Sequence, residues 1–177
     1  YTLLAVITHF TSSRSANLLR CLQVLFGLSL SQRRFYIFMA SSKLPWPRLW
    51  TTLWSLIPNP TTEGRLLLAL DDTINPKTGK KIFGCASFFD HAAKTNQSKY
   101  PWSQNVVSIG LLKIVKGRWA CLPLAFRFYH MEKTIAAKKV RVDGKIPPFQ
   151  TKFEQAIEML LEISVAFPGN PLLIVTD

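Results

Sequence analysis

Two continuous apolar runs, joined by an amphipathic stretch, constrain this chain more than any other feature. The runs are Arg65-Leu-Leu-Leu-Ala-Leu70 and Leu172-Leu-Ile-Val175. Neither alternates, so each reads as a strand buried on both faces. Between them, Pro147-Pro148 introduces a segment in which Phe149, Phe153, Ala156, Ile157, Leu160, Leu161 and Ser164 recur at helical spacing, and Pro168-Gly-Asn-Pro171 stops it. A helix linking two buried strands predicts parallel pairing through a right-handed crossover. Upstream, residues 105–115 and 119–129 flank Lys116-Gly-Arg118, an antiparallel hairpin pattern. Pro123 has no N–H to give the ladder and therefore asks for an edge position or a bulge. Asn75-Pro-Lys-Thr-Gly79 reads as a turn. The predicted class is α/β: a mixed sheet with one crossover helix.

The first 62 residues follow a different pattern. They contain no acid but six bases, Arg14, Arg20, Arg33, Arg34, Lys43 and Arg48. Ser15 is placed to cap a helix over 16–26 that ends at Gly27, and Ser31 to open a second over 33–40. Pro47 suits the first turn of a third helix, in which Trp46, Trp50, Leu53, Trp54 and Ile57 share a face. The expected organisation is a small all-α region, 1–63, followed by the sheet-bearing region, 64–177. Basic helices without acids fit either a DNA-binding domain or a packing domain whose bases face water.

The charge balance narrows the partner. Twenty-two Lys and Arg against 10 Asp and Glu leave a net charge of +12 over 177 residues. Such a chain seeks polyanions, because neutralised phosphates release condensed counterions. Membrane insertion is not expected, since Arg20, Arg33 and Arg34 interrupt the apolar N-terminal stretch. Cys21, Cys85 and Cys121 lack zinc or redox spacing and read as buried apolar residues in a reducing compartment. His9, His91 and His130 form no ligand pattern.

Both apolar runs lead into aspartate: Asp71-Asp72 after the first, and Asp177, one residue beyond Val175-Thr176, after the second. If the strands lie parallel, the carboxylates emerge at one sheet edge, where open sheets place their sites. Two close carboxylates repel each other unless a cation sits between them. A hard divalent ion, Mg²⁺ or Mn²⁺, is the natural one, held by carboxylates and substrate phosphates. In a basic chain this points to phosphodiester chemistry with two ions. A lone aspartate at a strand end is more often a turn former or helix cap, so spacing alone leaves both readings open.

The residues themselves go further. Leu68-Ala-Leu-Asp-Asp-Thr73, followed by Asn75-Pro-Lys-Thr-Gly-Lys-Lys-Ile-Phe-Gly84, resembles the first acidic motif of bacterial insertion-sequence transposases of the DDE superfamily. The stretch from Phe88 to Asn105 is similar to the loop before that group's second core strand, and Leu172-Leu-Ile-Val-Thr-Asp177 to the strand bearing its second acid. The resemblance spans about residues 64–177. It implies an RNase H-like fold and metal-dependent DNA strand cleavage and transfer at transposon ends. It also implies double-stranded DNA as partner, room for a homodimer in the DNA complex, and a bacterial cytoplasmic, nucleoid-associated setting.

In that reading Asp71 holds the Asp-x-Thr position, with Asp72 as the adjacent alternative, and Asp177 is the second acid. The third acid, a Glu on a later helix, has no counterpart, so residues 1–177 alone are expected to be inactive. Glu154, Glu158 and Glu162 precede Asp177 and are expected on a solvated face. Lys77, Lys80, Lys81, Lys138, Lys139 and Arg141 are candidate DNA contacts, and Trp102 is a candidate for base stacking, each against a plainer role in a solvated turn, linker or small core. The alternative function is a non-catalytic nucleic-acid-binding protein.

Overall fold

A computed structural model describes residues 19–20, 22–24, 27–39, 41, 46–79, 82–142 and 144–176. Two compact units meet in the sequence between Pro45 and Trp46.

In the first unit, residues 19–20 and 22–24 are helical, and the remainder of the expected 16–26 helix, with its cap Ser15, lies outside the described residues. Helix α1 spans Gln32–Met39. Ser31 opens it as expected, its hydroxyl accepting from Arg34 N at 3.3 Å. Leu19, Leu22 and Phe35 form a small buried cluster.

The second unit begins with helix α2, Trp46–Ser55. It packs with the sheet. The reason is the tryptophan face: Trp54 is buried in the main core and donates its indole N–H to Leu124 O at 2.9 Å. Trp50 packs edge-on against Phe126, with ring centroids 5.7 Å apart. Large amphipathic rings bind the helix to the sheet more strongly than charge composition divides them.

The sheet contains β1 (Leu66–Pro76), β2 (Ala86–Ser87), β3 (Trp102–Val115), β4 (Arg118–Tyr129) and β5 (Leu172–Thr176). Strand β3 pairs antiparallel with β1 along one edge, and with β4 and the short β2 along the other. Strand β5 pairs parallel with β1, from Leu66↔Leu172 to Leu70↔Thr176. The mixed α/β expectation holds, including the hairpin and the parallel pair, and this order is consistent with an RNase H-like fold. Pro123 sits at an irregularity, because the register slips between Ile109 and Gly110. Gly110 is needed there, since a Cβ would lie 2.3 Å from Cys121 Sγ.

Between β4 and β5 come a short helix α3, Glu132–Ala136, and the crossover helix α4, Lys152–Ala166. Thr151 caps α4 through a full capping box with Glu154. The buried face of α4 differs from the expected one. Ala156, Met159 and Ile163 enter the core, whereas Phe153, Ile157 and Leu161 are exposed. The helix is apolar around a wide arc, and the sheet covers only the stripe aligned with Ala156.

Two further expectations need correction. Strand β1 is sealed on one face only: Leu66 and Leu68 are fully buried, Leu67 and Ala69 half-buried. Leu173, Ile174 and Val175 of β5 are exposed, because β5 pairs with β1 alone among the described strands. Of the cysteines, Cys85 is buried as expected, Cys121 is exposed, and Cys21 lies outside the described residues.

Candidate functional site

Strand β1 changes character along its length. Leu66, Leu68 and Leu70 pack beneath α4 with Val107, Ile109 and Met159. The chain then reaches water at Asp71 and Asp72, both exposed. The strand does not end there: its pairing with β3 continues through Asp71↔Ser108 and Asp72↔Val107 to Pro76↔Ser103. Asn75 and Pro76 are therefore strand residues and not part of the expected turn. Pairing with β5, by contrast, is described only as far as Leu70↔Thr176. The aspartates thus lie on a strand held rigidly from one side.

The two carboxylates have different partners, as the side-chain alternation of a strand requires. Asp72 continues the Leu66–Leu68–Leu70 face toward α4. Its Oδ2 accepts from Lys152 Nζ at 2.6 Å and from Asn105 Nδ2 at 3.1 Å. Lys152, the first residue of α4, also lies 5.4 Å from the Tyr129 ring centroid. Asp71 Oδ1 accepts from the next backbone amide, Asp72 N, at 2.7 Å, and no cation pairs with it among the described residues. The lysine clamp on Asp72 was missed in the sequence because 80 residues separate the partners. Its only sequence signal is a basic residue in the first turn of a helix, where an acid is the favourable choice.

Both aspartates line a cleft of about 250 Å³ with Thr176, Lys152 and Phe153. Asn105 is buried beside Asp72, and its Oδ1 has no hydrogen-bond partner among the described residues. A buried acceptor left unmatched costs roughly 1–3 kcal/mol. Hard oxygen donors and an unmatched carbonyl next to carboxylates suit a hydrated divalent cation. Yet no group of three or more His, Cys, Asp or Glu residues able to hold a metal occurs among the described residues. Asp177 lies outside them.

The glutamates of α4 have structural partners. Glu154 closes the capping box, and hydrogen bonds from Thr151 hold its carboxyl below the ordinary range. Glu158 accepts from Gln150 at 2.5 Å, and Glu162 pairs with Arg127 at 2.6 Å.

Among the candidate DNA contacts, Lys77 is half-buried, and its charge pulls downward on the Cys85 thiol, which burial pushes up more strongly. Lys80 and Lys81 lie outside the described residues. Lys138, Lys139 and Arg141 are exposed on the connection between α3 and α4. Trp102 opens β3 and donates its indole N–H to Gly79 O at 2.9 Å. None of Lys77, Lys138, Lys139, Arg141 and Trp102 lines the aspartate cleft.

The family described as DDE superfamily endonuclease matches residues 10–177. The chain belongs to that family. No curated protein and no solved structure matches it. Membership places the chain among nucleases and transposases that act on DNA and generally use divalent metal ions. Among the described residues, no helix is long and apolar enough to cross a membrane.

Proposed function

We propose that the chain forms part of a DNA transposase, acting in metal-dependent strand cleavage and transfer at transposon ends, with Asp71 as first acid and Asp177 as second. The observation that carries this reading is the parallel register of β1 and β5. It runs to Leu70↔Thr176, so the next residues in sequence are Asp71 and Asp177. Asp71 is preferred to Asp72 because Lys152 and Asn105 already occupy Asp72, whereas Asp71 has no counter-cation among the described residues.

In this reading Asp71 and Asp177 would hold Mg²⁺ or Mn²⁺ through hard oxygen donors. Bound there, two such ions would activate the attacking oxygen and stabilise the leaving one. Lys152 keeps Asp72 turned toward α4 and neutralised, which lowers the repulsion between adjacent carboxylates. The rigid β1–β3 ladder fixes Asp71 against backbone movement. Lys77, Lys80, Lys81, Lys138, Lys139 and Arg141 would contact phosphates of double-stranded DNA, and the basic helices of residues 1–63 would add a binding region. A homodimer on DNA and a nucleoid-associated bacterial setting belong to the same reading.

The test is Mn²⁺ titration followed by electron paramagnetic resonance, on the wild-type chain and on Asp71→Asn, Asp72→Asn and Asp177→Asn. Loss of one supporting residue beside a metal costs roughly 10–100-fold in affinity. Removing either ligand itself should therefore cost at least about a hundredfold, while Asp72→Asn should stay within about tenfold of wild type. Binding that survives both Asp71→Asn and Asp177→Asn would overturn the metal site and leave a nucleic-acid-binding module.

A further inference from the structure

Lys152 stands where a helix does not favour it. It is the first residue of α4, and the N-terminus of a helix prefers acids to cations. The Thr151–Glu154 capping box already secures that terminus, so α4 does not need the lysine for its own stability. What the ammonium touches accounts for it instead.

Lys152 Nζ lies 2.6 Å from Asp72 Oδ2 and 5.4 Å from the centre of the Tyr129 ring. Carboxylate and ring both hold the cation. Asn105 adds a second donor to the same Asp72 oxygen, at 3.1 Å. Its side chain is fixed, since Asn105 is only 2% exposed and pairs with Tyr129 across the β3–β4 ladder. Asp72 is thus held from α4 and β3, and the lysine that holds it is steadied by β4.

The Asp71 carboxylate has no such restraint: among the described residues it accepts only from the Asp72 backbone amide. Yet both carboxylates border one cleft of about 250 Å³, together with Lys152 and Thr176. A divalent ion entering at Asp71 meets a second carboxylate whose charge is already matched. To use Asp72 as well, it would have to displace an ammonium in contact with it, and like charges oppose that.

Ligand count also decides which cation fits. Mg²⁺ keeps several waters and takes one or two carboxylates, whereas Ca²⁺ takes more oxygens, bidentate carboxylates included. With Asp72 withheld, the cleft leaves coordination positions to water, which suits the smaller ion.

We infer that Lys152 is a positioning residue that withholds Asp72 from the metal ions, and so sets both the carboxylate count of the site and its preference for Mg²⁺ or Mn²⁺ over Ca²⁺. The inference rests on the reading of Asp71 and Asp177 as ligands, and adds what keeps their neighbour out.

The test is Mn²⁺ binding, without DNA, to the wild-type chain, Lys152→Met, Lys152→Ala, Lys152→Arg, and Lys152→Met combined with Asp72→Asn. Electron paramagnetic resonance reads affinity. Electron–nuclear double resonance in H₂O and D₂O reads the number of bound waters, and Ca²⁺ competition reads selectivity. Removing one unit charge close to the ion is worth a gain of roughly fivefold in affinity in water-like surroundings. Lys152→Met and Lys152→Ala should each show a gain of that size, lose bound water to the Asp72 carboxylate, and shift the Mn²⁺-to-Ca²⁺ affinity ratio toward Ca²⁺. All three changes should disappear in the double variant. Lys152→Arg, still a cation beside Asp72, should behave as wild type. Thermal melts matching wild type show that the fold is kept, and two independent truncations guard against misfolding of one.

An unchanged count of bound waters in both truncations would overturn the inference. Gains that persist without Asp72 would do the same, because they would come from net charge alone. In either case, loss of wild-type binding on Asp71→Asn and Asp177→Asn keeps the metal site itself. Binding indifferent to those two substitutions, or no binding at all, would sink both.

Discussion

The two halves of β1 are built on opposite principles. From Leu66 to Leu70 the strand pairs with β5, from Leu68 onward also with β3, and α4 lies above it, with Leu66 and Leu68 inaccessible to water. From Asp71 to Pro76 the described pairing is with β3 alone, and the side chains are mostly exposed. The first half contributes burial, which supplies most of the stability of a sheet. The second half keeps the backbone order of the first but places carboxylates in water, where they can exchange partners. One continuous strand therefore lends the rigidity of a core to a polar site.

The largest expected effect separates the two aspartates. In DNA nicking by an active transposase carrying this chain, Asp71→Asn should lower the rate at least about a hundredfold, and Asp72→Asn much less. Equal losses would show that the two act as one unit and would erase the distinction between the α4-facing carboxylate and its neighbour.

The next effect contrasts the halves in stability. Leu68→Ala should cost about 2–5 kcal/mol in urea unfolding, since the side chain is fully buried and leaves a cavity. Thr73→Ala, at an exposed position of the same strand, should stay within about 0.5 kcal/mol. Similar costs at both positions would mean that the second half is also packed.

A smaller effect tests the helix that covers the first half. Thr151→Ala removes the α4 cap and should cost about 1 kcal/mol near neutral pH. The folded Glu154 pKa is depressed by Thr151, so its contribution is present above the ordinary carboxylate pKa and is lost as pH falls through the lower, folded value. The gap between wild type and variant should therefore narrow in acid, which urea melts across that range would reveal.

Pairing was legible in the sequence where local patterning determined it. The hairpin, the bulge demanded by Pro123, the cap at Ser31 and the parallel approach of β1 and β5 all follow from periodicity and proline chemistry. Coverage was less legible. An unbroken apolar run does not say how many faces are sealed, so Leu173 to Val175 read as buried and are exposed. Helix α4 offered two adjacent apolar stripes, and only the sheet decided between Ala156 and Phe153. At the candidate site, the aspartates were marked by their place after apolar runs. The Lys152 and Asn105 partners of Asp72 were hidden because each lies on a different element, far along the chain.

The pairing of β1 with β5 also bears on folding. Leu68 and Ile174 meet across more than a hundred residues of chain, whereas the β3–β4 ladder closes around a two-residue turn at Lys116-Gly117. Long loops close late, because their entropy must be spent before any contact repays it. The hairpin should therefore be protected early in pulse-labelled hydrogen exchange, and the β1–β5 ladder last. A chain arrested between those two events would hold its hairpin while the aspartate cleft, which draws its lining from β1, β3, α4 and Thr176 of β5 together, is still unformed.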